Sequence, residues 1–212
     1  MRIALPFHVL SSLLRRHFRK KRWEYFWTSV GQFVGPGFWL DLGGGAGSYF
    51  TSQICGAKPV ILLDIKESEL AKARATDANM ITVLADGEHL PFRDQSLATV
   101  FCNSVIEHVQ HPELLSSEIQ RSARTFFVQT PNGRFFAELH SFVPIPFYWL
   151  LPLPLRKIAC RLFHASFSYI EGVSYVSGGR LRTLFPRGTM VYERWLGMVK
   201  SFFVIGQQPA EL

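Results

Sequence analysis

Beyond Gly35-Pro36-Gly37 the chain settles into short apolar runs that alternate with helical stretches, and an aspartate stands at or just past the end of each of the first three runs. The runs cover residues 38–42, 60–63, 81–84, 97–102 and 125–129, and residues 47–56, 67–75 and 111–122 between them read as helices. Strands that are apolar throughout, rather than at every second position, are buried on both faces. Alternated with helices, they predict an α/β fold: a doubly wound, mainly parallel sheet whose ligands sit beyond the carboxyl ends of its strands. The final stretch departs from this rhythm. Residues 189–195 and 199–205 are strand-like and separated only by Leu196-Gly197-Met198, which is hairpin spacing. Seven strands are therefore expected, with an antiparallel strand closing the sheet.

A chain of 212 residues suits one core better than two. Within a single domain we expect a basic amphipathic helical arm over 1–36, a ligand-binding core over 37–131, an insertion or lid over 132–188, and the hairpin strands over 189–212. The formal charge of +7 is uneven. Residues 1–36 hold seven Lys/Arg against Glu24 alone, residues 37–131 hold seven against eleven acids, and the remainder nine against four. A basic field at both ends attracts anionic lipid, phosphate or nucleic acid without choosing among them. The arm does not read as a signal peptide, because its apolar run contains Pro6 and His8 and leads into the string Arg15 to Arg22. Its stripe of apolar and basic residues, followed by Trp23, Tyr25, Phe26 and Trp27, either covers the core or touches a membrane surface.

Cys55, Cys102 and Cys160 are odd in number and widely spaced, which suits a reducing cytoplasm better than a disulfide framework. His108 and His111 lack further ligands at zinc spacing, so no metal is assigned.

The first strand ends in Asp41-Leu42-Gly43-Gly44-Gly45-Ala46-Gly47-Ser48. Glycines are needed where a strand turns tightly into a helix and a ligand lies against bare backbone. Counted from Gly43, the dinucleotide fingerprint wants its third glycine at Ser48, whereas the glycine comes at Gly47. That spacing leans away from NAD. Asp64, 21 residues after Gly43, can accept both hydroxyls of a ribose. Asp86-Gly87 offers a carboxylate to an adenine amino group and room for the base.

Asp41-x-Gly43-x-Gly45-x-Gly47, Asp64, Asp86-Gly87, Leu90-Pro91-Phe92 and Val105-Ile106-Glu107-His108-Val109 resemble the class I S-adenosylmethionine-dependent methyltransferases, closest to the type 11 branch that includes quinone-biosynthesis enzymes. The resemblance spans roughly 38–131. It implies S-adenosyl-L-methionine as cofactor, with its methionine portion on the loop of Asp41, Leu42, Gly43, Gly44, Gly45 and Gly47, its ribose at Asp64 and Ile65, its adenine at Asp86 and Gly87, and its sulfonium side at Asn103 and Ser104. Thr130-Pro131-Asn132, Glu138 and His140 resemble a bacterial subset of that branch. The chain departs from the family at Ala98, where Asp usually begins the fourth strand, and at Ser122-Ala123-Arg124, where a Lys-Pro-Gly-Gly turn is usual.

Methyl transfer from a sulfonium is an in-line displacement, which asks a protein chiefly to place a nucleophile about 3 to 3.5 Å from the methyl carbon and to exclude water. A hydroxyl acceptor also needs a base, for which Glu107, His108, Glu138 and His140 are candidates. Residues 142–155, FVPIPFYWLLPLPL, carry no charge and four prolines. They are too short and broken to span a bilayer, which takes about 20 apolar residues. They suit core packing, a lid over a greasy substrate or a membrane-surface wedge. A small-molecule or lipid-linked acceptor is expected, with the protein in the cytoplasm and in peripheral contact with an anionic membrane. A nucleic-acid acceptor is disfavoured: Asn103-Ser104-Val105-Ile106 lacks the prolines of DNA amino-methyltransferases, and no cysteine follows a proline. The alternative outside enzymology is a cofactor-binding module without catalysis.

Overall fold

The computed structural model describes residues 4–31, 35–46, 48–54, 58–136, 143, 145–163, 167 and 172–207, with only the backbone of 4–15. Among them a seven-stranded sheet runs in the order β3-β2-β1-β4-β5-β7-β6. Its strands are β1 (Trp39–Leu42), β2 (Val60–Asp64), β3 (Ile81–Leu84), β4 (Leu97–Asn103), β5 (Ala123–Pro131), β6 (Thr189–Trp195) and β7 (Met198–Gln207). The first five pair in parallel, and β7 is antiparallel to both β5 and β6. The expected antiparallel strand is present, but it lies inside the sheet, and β6 forms the edge. Hairpin spacing alone does not say which of its strands pairs inward. β7 is the more buried, while β6 carries Tyr192 and Arg194 at partly exposed positions that suit an edge. The turn is two residues, Leu196 and Gly197, both at positive φ, so Met198 belongs to the strand.

Helices cover both faces. They are α1 (Ala4–Ser29), α2 (Tyr49–Ile54), α3 (Glu67–Thr76), α4 (Pro112–Ser122), α5 (Leu153–Leu162) and α6 (Gly178–Leu184). On one face, Leu115 and Ile119 of α4 and Leu181 and Leu184 of α6 pack with Leu40, Leu42, Val100 and Val128. Helix α6 thus joins the main core, although it follows the apolar segment in sequence.

The other face answers the question posed by the arm. Phe101 lies between Phe50, stacked at 4.2 Å, and Phe127, stacked at 5.3 Å. Phe26 of α1, fully buried, stands edge-on to Phe50, Phe101, Phe127 and Trp39 at 5.1 to 5.7 Å. Edge-to-face packing of this kind adds to simple burial. The described second half of α1 is therefore a cover on the sheet.

The switch point of the sheet falls between β1 and β4, where the strand order reverses about β1. The carboxyl ends are level there, with Leu42 opposite both Leu63 and Cys102.

Candidate functional site

The loop after β1 is shaped by close approaches. Gly43 has φ +68°, its N–H donates to Leu63 at 2.7 Å, and a Cβ there would meet Val105 at 2.7 Å. Only glycine satisfies both the conformation and the space. A Cβ on Gly44 would run into the carboxylate of Asp41. That carboxylate, buried beneath the loop, accepts from the hydroxyls of Ser48 and of Thr51, the latter at 2.6 Å, and so ties the loop to the start of α2. Burial pushes Asp41 up to about 6 against the pull of those hydroxyls.

Two clefts meet at Gly43. The larger, about 670 Å³, is lined by Leu42, Asp64, Ile65, Asp86, Gly87, Ser104 and His108, among others. Asp64 accepts from the amide of Lys66 at 2.9 Å through one oxygen, and Asp86 accepts from the amide of Glu88 at 2.9 Å. Each carboxylate is oriented by its own turn. The smaller cleft, about 110 Å³, is lined by Asp41, Gly43, Gly44, Ser48 and Asn103 from the sheet side and by Arg19, Arg22 and Trp23 from α1.

The arrangement fits an adenosine joined to an amino acid. Three carboxylates stand on the larger side, those of Asp64, Asp86 and Glu88. On the smaller side Asn103 Oδ1 is buried without a hydrogen-bond partner among the described residues, an acceptor suited to an ammonium group. Opposite it stand two guanidinium groups suited to a carboxylate. Arg22 also donates to Gln129 Oε1 at 3.4 Å, and burial holds its pKa below the ordinary value.

Asp41, Gly43, Gly44, Asp64, Asp86, Gly87, Asn103 and Ser104 are thus brought to one site, together with Leu42 and Ile65. Gly45 is in the same loop, where its neighbour Ala46 donates to Glu69 at 3.3 Å. Ser104 sits at φ +58°, and both its amide and its hydroxyl donate to Gln129, at 2.9 and 2.8 Å. What it offers the cleft is therefore neither of those donors. Glu107 is fully buried, accepts from the Thr130 hydroxyl at 3.0 Å, and lines neither cleft. His108, the next residue, is exposed and lines the larger cleft. Gly47, Glu138 and His140 lie outside the described residues, as do Cys55 and residues 142 and 144 of the apolar segment.

Sequence reasoning missed Arg19, Arg22, Glu88 and Gln129. The arginines were within reach of a helical wheel: at about 3.6 residues per turn, Phe18, Arg19, Arg22, Trp23 and Phe26 share one face, so the face that buries Phe26 also carries the two guanidinium groups. Glu88 left no such signal. Its carboxylate accepts from the amides of Gln110 and His111 at 2.8 and 2.9 Å, holding the start of α4 against the larger cleft. The Leu90-Pro91-Phe92 segment is clamped by Arg121, which donates to the carbonyls of Phe92 at 2.8 Å and Leu90 at 3.2 Å.

Residues 40–136 match the model of a family described as a methyltransferase domain. No curated protein sequence matches the chain. Among solved structures, a protein from Pyrococcus horikoshii OT3 superposes with a TM-score of 0.61 at 17% identity, over 90% of this chain and 91% of that one. An S-adenosylmethionine-dependent methyltransferase from Mesorhizobium loti gives 0.59 at 17% identity, over 86% and 97%. A geranyl diphosphate C-methyltransferase from Streptomyces coelicolor A3(2), solved with Mg2+, geranyl diphosphate and S-adenosyl-L-homocysteine, gives 0.53 at 12% identity, over 84% and 77%. Likeness at such identities concerns the fold. Fold and family match together define the class: a Rossmann-like S-adenosylmethionine-dependent methyltransferase. Over residues 40–136 the chain matches that methyltransferase domain, and its cofactor is S-adenosyl-L-methionine.

Asp41 gives a pH dependence whose sign can be worked out. Its folded pKa, about 6, is above the ordinary 3.8, so the folded chain holds that proton more tightly than the unfolded one. This group therefore lowers stability as pH rises from about 4 to 6, and its cost is complete above that window. A cationic ligand beside it favours the deprotonated form. Affinity for S-adenosylmethionine should rise by up to about tenfold between pH 5 and 7, with proton release on binding near pH 6. Titration calorimetry in buffers of different ionisation enthalpy measures both; a flat profile would refute this role for Asp41.

Proposed function

We propose that the protein transfers a methyl group to an apolar acceptor, a small molecule or lipid-like compound, held beyond the carboxyl ends of β4 and β5. The observation that carries this reading is a group of aromatic rings at that end. Trp195 stands 5.2 Å from Phe18, 5.9 Å from Phe135 and 5.8 Å from Phe136, with Phe135 four residues past the end of β5. Phe18 precedes Arg19, which lines the smaller cleft, so the aromatic group adjoins the methionine side. Beneath Phe18 the Lys200 ammonium lies 4.0 Å from the ring and pairs with Glu193 at 2.6 Å. Burial pushes Lys200 down to about 8.

In this reading Asp64 and Asp86 hold the adenosine, the loop at Gly43 takes the chain between, and Asn103 with Arg19 and Arg22 holds the amino-acid end. Bound S-adenosylmethionine supplies an electrophilic methyl group on a sulfonium. The protein's contribution is alignment and exclusion of water by α1 and the aromatic group. Where the acceptor is a hydroxyl, His108 is the candidate base that reaches a cleft, at the larger one that meets the smaller at Gly43, while Glu107 acts as a positioning group through Thr130.

The test is incubation of the full chain with isotope-labelled S-adenosylmethionine and a cell extract, followed by separation into solvent-extractable, small polar, protein and RNA fractions. Label is expected in the solvent-extractable or small-molecule fraction. Label confined to protein or RNA would overturn the acceptor class, and His108→Ala with unchanged kcat would remove that residue from the chemistry.

A further inference from the structure

Helix α5 carries its amphipathicity the wrong way round for a helix in water. Its inward face is small: Ala159 and Cys160 are buried with Val143 and Tyr148, the Tyr148 hydroxyl 3.2 Å from Cys160 Sγ. The large apolar side chains point outward. Leu155, Ile158 and Leu162 are 49%, 51% and 69% exposed, and Leu153, Leu150 and Phe147 just ahead of them are 56%, 64% and 46% exposed. Soluble proteins seldom show contiguous apolar surface of this kind without something to cover it.

The charges around the patch indicate the cover. Between Glu138 and Glu171 the sequence contains no carboxylate, and its only formal charges are Arg156, Lys157 and Arg161. Arg156 is turned back onto the carbonyls of Leu151, at 2.8 Å, and Trp149, at 2.6 Å, leaving Lys157 and Arg161 exposed beside the outward leucines. An apolar face whose own segment carries cations and no carboxylate suits a surface that is greasy within and anionic at its rim. Among the described residues no helix is long and apolar enough to cross a membrane, and ten residues of helix span only about 15 Å.

We propose that the α5 face, with the Phe147–Leu153 turn before it, docks on the surface of an anionic lipid bilayer, its leucines entering the headgroup boundary and Lys157 and Arg161 lying among the phosphates. The docked segment is continuous with the aromatic group beyond β5, since the Phe147 amide donates to the carbonyl of Phe136. Docking does not depend on the acceptor reading, because it is measured without turnover.

The experiment is co-sedimentation of the full chain with vesicles of phosphatidylcholine alone or mixed with phosphatidylglycerol. Wild type is expected to pellet with the anionic vesicles, less so at high salt, and to remain in solution with phosphatidylcholine alone. Ile158→Ser/Leu162→Ser and, separately, Lys157→Glu/Arg161→Glu should each lower partitioning by about tenfold or more. Both pairs are exposed, and unchanged S-adenosyl-L-homocysteine binding by the same variants verifies that they are folded. Wild type left in the supernatant with anionic vesicles at low salt would overturn the proposal. So would sedimentation equilibrium showing a wild-type dimer that Ile158→Ser/Leu162→Ser dissociates, since a second copy would then be the cover.

Discussion

Replacing Phe26 by Ala is expected to lower the stability of the whole domain by about 3 to 5 kcal/mol, the range for truncating a fully buried aromatic. The ring has no solvent exposure and stands edge-on to Trp39, Phe50, Phe101 and Phe127, so the cavity would open where α1, α2 and three strands meet. Chemical denaturation followed by tryptophan fluorescence and by circular dichroism measures the change. Coincident transitions with the full loss establish α1 as part of the core. A loss under about 1 kcal/mol would mean that the arm only rests on the sheet, because exposed side chains give effects of that size. The same variant should bind S-adenosylmethionine more weakly, since Arg19 and Arg22 reach the smaller cleft from the helix that Phe26 anchors.

Much of this architecture is legible in the chain because burial on both faces leaves a simple mark. Val60 to Asp64 and Leu97 to Val100 are buried at every position, and such strands read as unbroken apolar runs. The glycine loop is legible for a different reason: Gly43 needs both a left-handed backbone and the absence of a Cβ, a demand that one residue type meets. What stays hidden is long-range pairing. Arg22 meets Gln129 across 107 positions and Glu88 meets Gln110 across 22, and no local pattern announces either. Asp41 and Asp64 look alike in sequence, yet one carboxylate is turned under the loop to bind Ser48 and Thr51 while the other keeps an oxygen toward the larger cleft. In register Asp41 lies opposite Leu62, two positions before Asp64, so the two share a face of the sheet and differ in depth: Asp41 stops short of the end of β1 beneath the glycine loop, whereas Asp64 ends β2 at the larger cleft.

The second large effect follows from that distinction. Asp64→Ala removes a carboxylate whose Oδ1 is already held by the Lys66 amide and whose other oxygen accepts from no described residue. In the proposed placement a ribose hydroxyl donates to it in a charge-assisted hydrogen bond, whose loss should weaken cofactor binding by about 1.5 to 3 kcal/mol, roughly 10- to 150-fold in Kd. The fold should survive, because Asp64 ends its strand at the cleft. Asp86→Ala is expected to cost less, its carboxylate being the more exposed of the two.

Titration calorimetry of the full chain with S-adenosylmethionine, its demethylated product S-adenosyl-L-homocysteine and NAD, on wild type and Asp64→Ala, tests the central assignment directly. The structure predicts one-to-one binding of the two sulfur compounds by wild type, NAD at least about a hundredfold weaker, and the 10- to 150-fold loss at Asp64→Ala. Tight NAD binding with no heat from either sulfur compound would contradict it.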